Sequence, residues 1–122
     1  MIERNILIVD PSLTIRAMAS LTLKFKGYNA TTKDNSKEAW EILQKSEFDM
    51  VIMGSEISTT DGFGLLSKIK ADKKLKNKIR IILITEGDEA DRPRAKELGA
   101  HSCLIKPFHP QELLSKVEQL VK

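Results

Sequence analysis

An α/β fold, with a parallel sheet covered on both faces by helices, is the architecture that this sequence predicts. Three observations lead there. Five strand-like runs lie near residues 5–10, 28–32, 49–54, 79–85 and 101–105. Between them stand stretches whose apolar residues recur at helical spacing, and alternation of the two patterns is what builds a parallel sheet. The 122 residues suffice for a real core and are too few for two, so residues 1–122 read as a single domain.

The elements follow in order. The first strand, Ile6-Leu7-Ile8-Val9, ends on Asp10. A first helix follows Ser12, with Ile15, Met18, Ala19 and Leu23 on one face and Gly27 suited to its C-terminal cap. The second helix begins after Asn35, whose side chain can cap while Glu38 reaches back, and it buries Ala39, Ile42 and Leu43. The third strand, Met50-Val51-Ile52-Met53, ends on Gly54. The third helix starts beside Asp61-Gly62 and carries Phe63, Leu65, Leu66 and Ile69.

The fourth strand, Ile81-Ile82-Leu83-Ile84, ends on Thr85. Pro93 makes the fourth helix the irregular one, a short helix from Asp91 or Arg92 to Gly99. The fifth strand, 101–105, runs into Lys106-Pro107-Phe108. Pro110 then opens the last helix, where its missing N–H costs nothing, and Leu113, Leu114, Val117 and Leu120 form the buried face. No internal repeat, low-complexity tract or linker interrupts the series. Right-handed crossovers leave few topologies, but periodicity alone does not choose the strand order.

Composition narrows the functions. The chain is 41% hydrophobic and 30% charged, with no run near the roughly 20 apolar residues of a membrane span. Glu3-Arg4-Asn5 follows Met1 closely, which is not a signal-peptide pattern, so a cytoplasmic address is expected. The single cysteine, Cys103, has no intrachain partner and no metal-ligand spacing, and it reads as a strand cysteine without redox duty. His101 and His109 share no ligand spacing either, and read as a strand residue and a helix-flanking residue.

The net charge is +3, and basic residues bunch at Lys68, Lys70, Lys73, Lys74, Lys76, Lys78 and Arg80. They read as a solvated helix end and loop, with an acidic partner or nucleic acid as the other use. No aromatic residue interleaves with them, which argues against a single-strand stacking platform.

The run endings Asp10, Gly54, Thr85 and Lys106-Pro107-Phe108 together resemble the receiver domain of bacterial two-component response regulators, of the chemotaxis-regulator type. The resemblance covers essentially the whole chain. It implies a flavodoxin-like (βα)5 sandwich with strand order 2-1-3-4-5, in which the carboxyl ends of strands one, three, four and five converge on one crevice. It also implies a chemistry: phosphoryl transfer to an aspartate after the third strand. A divalent cation would sit on an acidic pair after the first strand, with a Thr or Ser after the fourth and a Lys after the fifth.

Against that pattern the chain departs at several positions. Gly54 stands where the acceptor aspartate belongs, and Pro11 where the metal-binding second acid belongs. Glu56, two residues past the acceptor position, is a carboxylate out of place that can reach the cation cavity or Lys106. Thr85 matches the switch residue, while Cys103 replaces the aromatic whose ring rotation reports phosphorylation. Lys106 then needs a carboxylate, Asp10 or Glu56, because an unpaired ammonium in a crevice is costly. Lys106 and Thr85 could instead retain phosphate or anion sensing. Ser55 and Ser58 are nearby hydroxyls with no adjacent base, and so poor acceptors.

The expectation is a degenerate receiver with no catalytic residue, metal or cofactor. It would act as a protein-interaction module toward a histidine kinase, another regulator or an effector domain. The resemblance suggests the surface of the fourth helix, fifth strand and fifth helix for such contacts. Two alternatives stay open: an atypical acceptor using Glu56, and a binder of a small phosphate-bearing ligand through Ser12 and Thr14 at the first helix N-terminus. One Trp, one Tyr and four Phe give little to stack on a flavin.

Overall fold

A computed structural model describes residues 4–55, 61–87, 91–97 and 99–121, the side chains of 61–63, 91, 92 and 95 excepted. Strands β1 (Asn5–Val9), β2 (Asn29–Lys33), β3 (Met50–Gly54), β4 (Arg80–Thr85) and β5 (Ser102–Ile105) alternate with helices α1 (Leu13–Phe25), α2 (Ser36–Lys45), α3 (Asp61–Ala71), α4 (Asp91–Glu97) and α5 (Pro110–Leu120). The strands form one parallel sheet in the order β2-β1-β3-β4-β5, the flavodoxin-like order.

Two cores lie on the two faces of this sheet. Leu7, Val9, Val51, Met53, Ile81 and Leu83 point to one face and pack with Ala39 and Leu43 of α2 and Leu65, Leu66 and Ile69 of α3. Ile6, Ile8, Met50, Ile52, Ile82 and Ile84 point to the other, where Ala19 and Leu23 of α1 and Leu113, Leu114 and Val117 of α5 cover them. Because successive strand residues alternate faces, a strand buried on both sides must be apolar at every position. β1, β3 and β4 meet that demand over residues 6–9, 50–53 and 81–84. β2, an edge strand, reads Asn-Ala-Thr-Thr-Lys and is only partly buried.

Helix ends follow local chemistry. The Ser12 hydroxyl accepts from Ile15 N at 3.2 Å, capping α1. Gly27, at φ 92°, closes it: Tyr28 N donates to Leu23 O and Gly27 N to Lys24 O, a bonding pattern that needs a left-handed residue. Asn35 caps α2 by accepting from Glu38 N at 2.8 Å, and Glu38 reaches back to the Asn35 side-chain amide rather than to its backbone. Pro93 falls in the first turn of α4, which is short as expected, and Gly99 follows it at φ 97°. Phe63 belongs to α3, but its side chain lies outside the described residues.

The strands begin or end a residue away from the sequence expectation, because single backbone bonds outlast the ladder. Asp10 N still donates to Lys33 O, and His101 N donates to Ile81 O at 2.8 Å. The basic run lies at the end of α3 and in the turns before β4, at the opposite end of the sheet from the strand carboxyl ends. There Lys68 stands over the Trp40 ring at 5.8 Å and Lys78 pairs with Glu47 at 2.8 Å.

His101 binds Ile81 twice, since its Nδ1 also accepts from Ile81 N at 3.1 Å. Partial desolvation, then the charges of Lys70 and Arg80, lower its pKa from the ordinary 6.5. The folded state therefore favours neutral imidazole, and the unfolded chain takes up the proton first as pH falls. The stability that His101 contributes is present above 6.5 and is lost as pH drops through that value. Thermal melts between pH 8 and pH 5 should show this fall, and His101→Asn should flatten it.

Candidate functional site

The site is set by where the strands end. β1 and β3 are neighbours in register, with Val9 opposite Met53, so the next residues, Asp10 and Gly54, meet at the sheet's carboxyl edge. Thr85 ends β4, and Lys106 directly follows β5. Lys106 N donates to Thr85 O at 2.8 Å, and the Lys106–Pro107 peptide is cis. Four of the sequence-predicted positions thus come together: Asp10, Gly54, Thr85 and Lys106. Glu56 and Ser58 lie outside the described residues.

Asp10 is the centre of the arrangement. It is fully buried, and its Oδ1 accepts from Ser12 N at 2.8 Å, which fixes the carboxylate plane. Its Oδ2 faces Lys106 Nζ at 3.5 Å, and the lysine side chain is only 15% exposed. An ion pair held away from water must be matched closely, because each charge loses its hydration. Lys106 Nζ also lies 3.8 Å from Glu86 Oε1, a more exposed acid. Glu86 went unnoticed in the sequence, although its place directly after Thr85 was a usable signal.

Gly54 makes this geometry possible. A Cβ built on Gly54 would overlap Asp10 Oδ2 and lie 3.3 Å from its Cγ. The Asp10 carboxylate therefore occupies the space into which a side chain at position 54 would start. The two positions are complementary, a carboxylate on β1 and its absence on β3.

The remaining side chains are committed locally. Thr85 is buried, and its Oγ1 accepts from Gly87 N at 3.3 Å, a long bond. Cys103, half-buried, packs on the same face of the sheet, with Leu83 as its register partner. A thiol has no ring to swing between inward and outward positions. The Ser12 hydroxyl is engaged as the α1 cap, and the Arg16 guanidinium donates to Asp10 O at 2.7 Å.

Magnesium demands near-octahedral oxygen ligands, usually including one or two carboxylates. Here both oxygens of the Asp10 carboxylate face partners, Pro11 offers no side-chain oxygen and Gly54 offers none. The described donors do not fit the ion. Among the described residues, no three His, Cys, Asp or Glu side chains are grouped to hold a metal.

The response regulator receiver domain family matches residues 6–118. The chain belongs to that family. This receiver is 31% identical over 119 residues to a chemotaxis protein CheY homolog of Campylobacter jejuni, a match covering 96% of the chain and 92% of that protein. It is also 31% identical over 121 residues to the probable transcriptional regulator ycf27 of Cyanophora paradoxa, covering 98% of the chain. The receiver spans 49% of that regulator's length, about half. Its fold superposes on the chemotaxis response regulator CheY4 of Vibrio cholerae with a TM-score of 0.91 and 30% identity, over 98% of this chain and 99% of that one.

In this receiver, the contact between positions 10 and 54 is open to a direct test. Gly54→Ala should lower stability by about 1–3 kcal/mol, because the new Cβ displaces a buried, bonded carboxylate. Asp10→Ala should cost less in the Gly54→Ala background than in the parent. Urea denaturation of the four proteins measures the coupling, and additive effects would show that the two positions do not compete for space.

Proposed function

We propose that this receiver signals through protein contact without accepting a phosphoryl group, and that it is not an enzyme. The observation that carries the reading is the Asp10 carboxylate lying in the space over Gly54 and paired with Lys106. Phosphoryl transfer needs an oxygen nucleophile at the acceptor position and a cation to balance the charge that develops. Position 54 has no side chain, position 11 has no ligand, and the lysine that would meet a phosphoryl oxygen already has a carboxylate partner. The charge balance that phosphorylation and magnesium supply in a receiver would be built in here.

Receiver domains work with histidine kinases and effector domains, and the same classes of partner are proposed for this one. The site of action is the cytoplasm. Among the described residues, no helix is long and apolar enough to cross a membrane.

Treatment with acetyl phosphate or beryllium fluoride in magnesium should leave both the intact mass and the amide spectrum unchanged. A phosphoryl group on Glu56 would replace this reading with that of an atypical acceptor. A flavin or nucleotide released on denaturation would replace it with ligand binding. Gly54→Asp alone should bind magnesium poorly and remain unlabelled, because the ligand at position 11 is still absent and the Asp10 charge crowds the new carboxylate. Gly54→Asp with Pro11→Asp should bind magnesium and accept phosphate slowly, and magnesium should raise its melting temperature by binding the folded state. Failure of a well-folded double variant to do either would mean that the crevice itself has diverged.

A further inference from the structure

From residue 68 to residue 80 the chain carries seven lysines and arginines against one acid, Asp72. Three of the seven have a structural use. Lys68 and Lys70 stand in the last turn of α3, where a cation offsets the helix dipole, and Lys78 pairs with Glu47. The other four, Lys73, Lys74, Lys76 and Arg80, are exposed, and among the described residues no carboxylate pairs with them. The Asp72 carboxylate is engaged in the turn itself, its Oδ1 accepting from Lys74 N at 2.8 Å and from Leu75 N at 3.1 Å. Like charges gathered without partners repel one another, so folding alone gives no reason for this cluster.

The cluster borders a groove. Between the end of α2 and the turn after α3 lies a space of about 390 Å³, lined by Leu43, Gln44, Asp72, Lys73, Lys74 and Leu75. Leu43 and Leu75 both pack on the core beneath, which makes part of the lining apolar and anchors it. A second groove of about 210 Å³ lies at the same end of the sheet, where Arg4, Lys78 and Arg80 stand beside Leu120 and Val121. The cations are therefore strung between two grooves and do not converge on one point. That distribution suits an extended chain of negative charges better than a single small anion.

We infer that the groove between α2 and the turn after α3 docks an acidic segment of a partner protein, with an apolar side chain of that segment over Leu43 and Leu75 and its carboxylates on Lys73 and Lys74. This rests on the protein-contact reading above and says which surface makes the contact. The mixed lining selects the occupant. A nucleic acid duplex brings the charge but no apolar side chain to fill the groove. A lipid surface takes up apolar side chains set beside the cations, and the exposed large ones, Leu13, Leu21 and Phe25, belong to α1 and line neither groove. A second copy meeting through the same face would set lysine against lysine. In the acidic segment, apolar burial supplies attraction and the carboxylates supply orientation and speed of encounter.

The probe is a synthetic peptide with two central leucines flanked by glutamates, compared with one carrying serines for the leucines and one carrying lysines for the glutamates. The first should shift the amides of residues 43–47 and 72–80 saturably, and added salt should weaken it. The serine peptide should bind about tenfold more weakly, and the lysine peptide should not saturate. Lys73→Gln with Lys74→Gln should reduce binding of the first peptide about tenfold, whereas Lys24→Glu with Lys37→Glu, a larger change of net charge placed elsewhere, should leave it nearly unchanged. Lys73→Glu with Lys74→Glu should transfer preference to the lysine peptide, a reversal that loss of folding would not produce.

No saturable binding, equal binding of the leucine and serine peptides, or shifts that spare residues 72–80 would overturn the inference. So would tighter binding of a random-sequence DNA duplex at about physiological salt, which would make the occupant a nucleic acid. Tighter binding of phosphatidylglycerol vesicles would make it a lipid surface. Phosphoryl labelling of the same sample would overturn the reading that the receiver is not phosphorylated and leave the peptide result standing. Loss of peptide binding with an unlabelled mass would do the reverse.

Discussion

A carboxylate with no contact to solvent sits at the carboxyl edge of the sheet, and three features hold it there. Ser12 N donates to one oxygen of Asp10, Lys106 Nζ faces the other at 3.5 Å, and Gly54 leaves the room that the second oxygen fills. Removing Lys106 would strand the Asp10 charge, and a buried charge without its partner costs roughly 3–5 kcal/mol. The pairing also constrains the sheet. It requires β1 and β3 to be adjacent and β5 to deliver Lys106 across β4, and the order β1-β3-β4-β5 within the sheet provides both.

The same centre reaches α1. Asp10 is bonded to Ser12 N through its carboxylate and to Arg16 through its carbonyl, while the Ser12 hydroxyl caps the helix. The start of α1 is therefore tied to Asp10 by two polar contacts.

Stability is spread unevenly over this design. The core on each face of the sheet is continuous and apolar. β2 buries little by comparison. The His101 ring accepts from Ile81 N through Nδ1, and proton uptake on that nitrogen would remove the acceptor.

The sequence by itself determined the strands, the caps and the chemical vocabulary of the site. Those are local matters: continuous apolar runs and helical spacing set the elements, Ser12, Asn35 and Pro110 start the helices, and Gly27 ends one. The glycine at position 54 and the proline at 11 were equally legible, because each is an absence of side-chain chemistry. Glu86 and Arg16 were missed, since an acid after a strand and an arginine on a helix look like ordinary surface residues until distances are known. Tertiary structure alone decided that Lys106 meets Asp10, that the carboxylate of Asp10 fills the place of a side chain on the next strand, and that Leu13, Leu21 and Phe25 face outward. Each is a relation between residues far apart in the chain or between a helix and what covers it. The physical reason is that spacing along a chain specifies which face a residue occupies, while packing specifies what lies opposite that face.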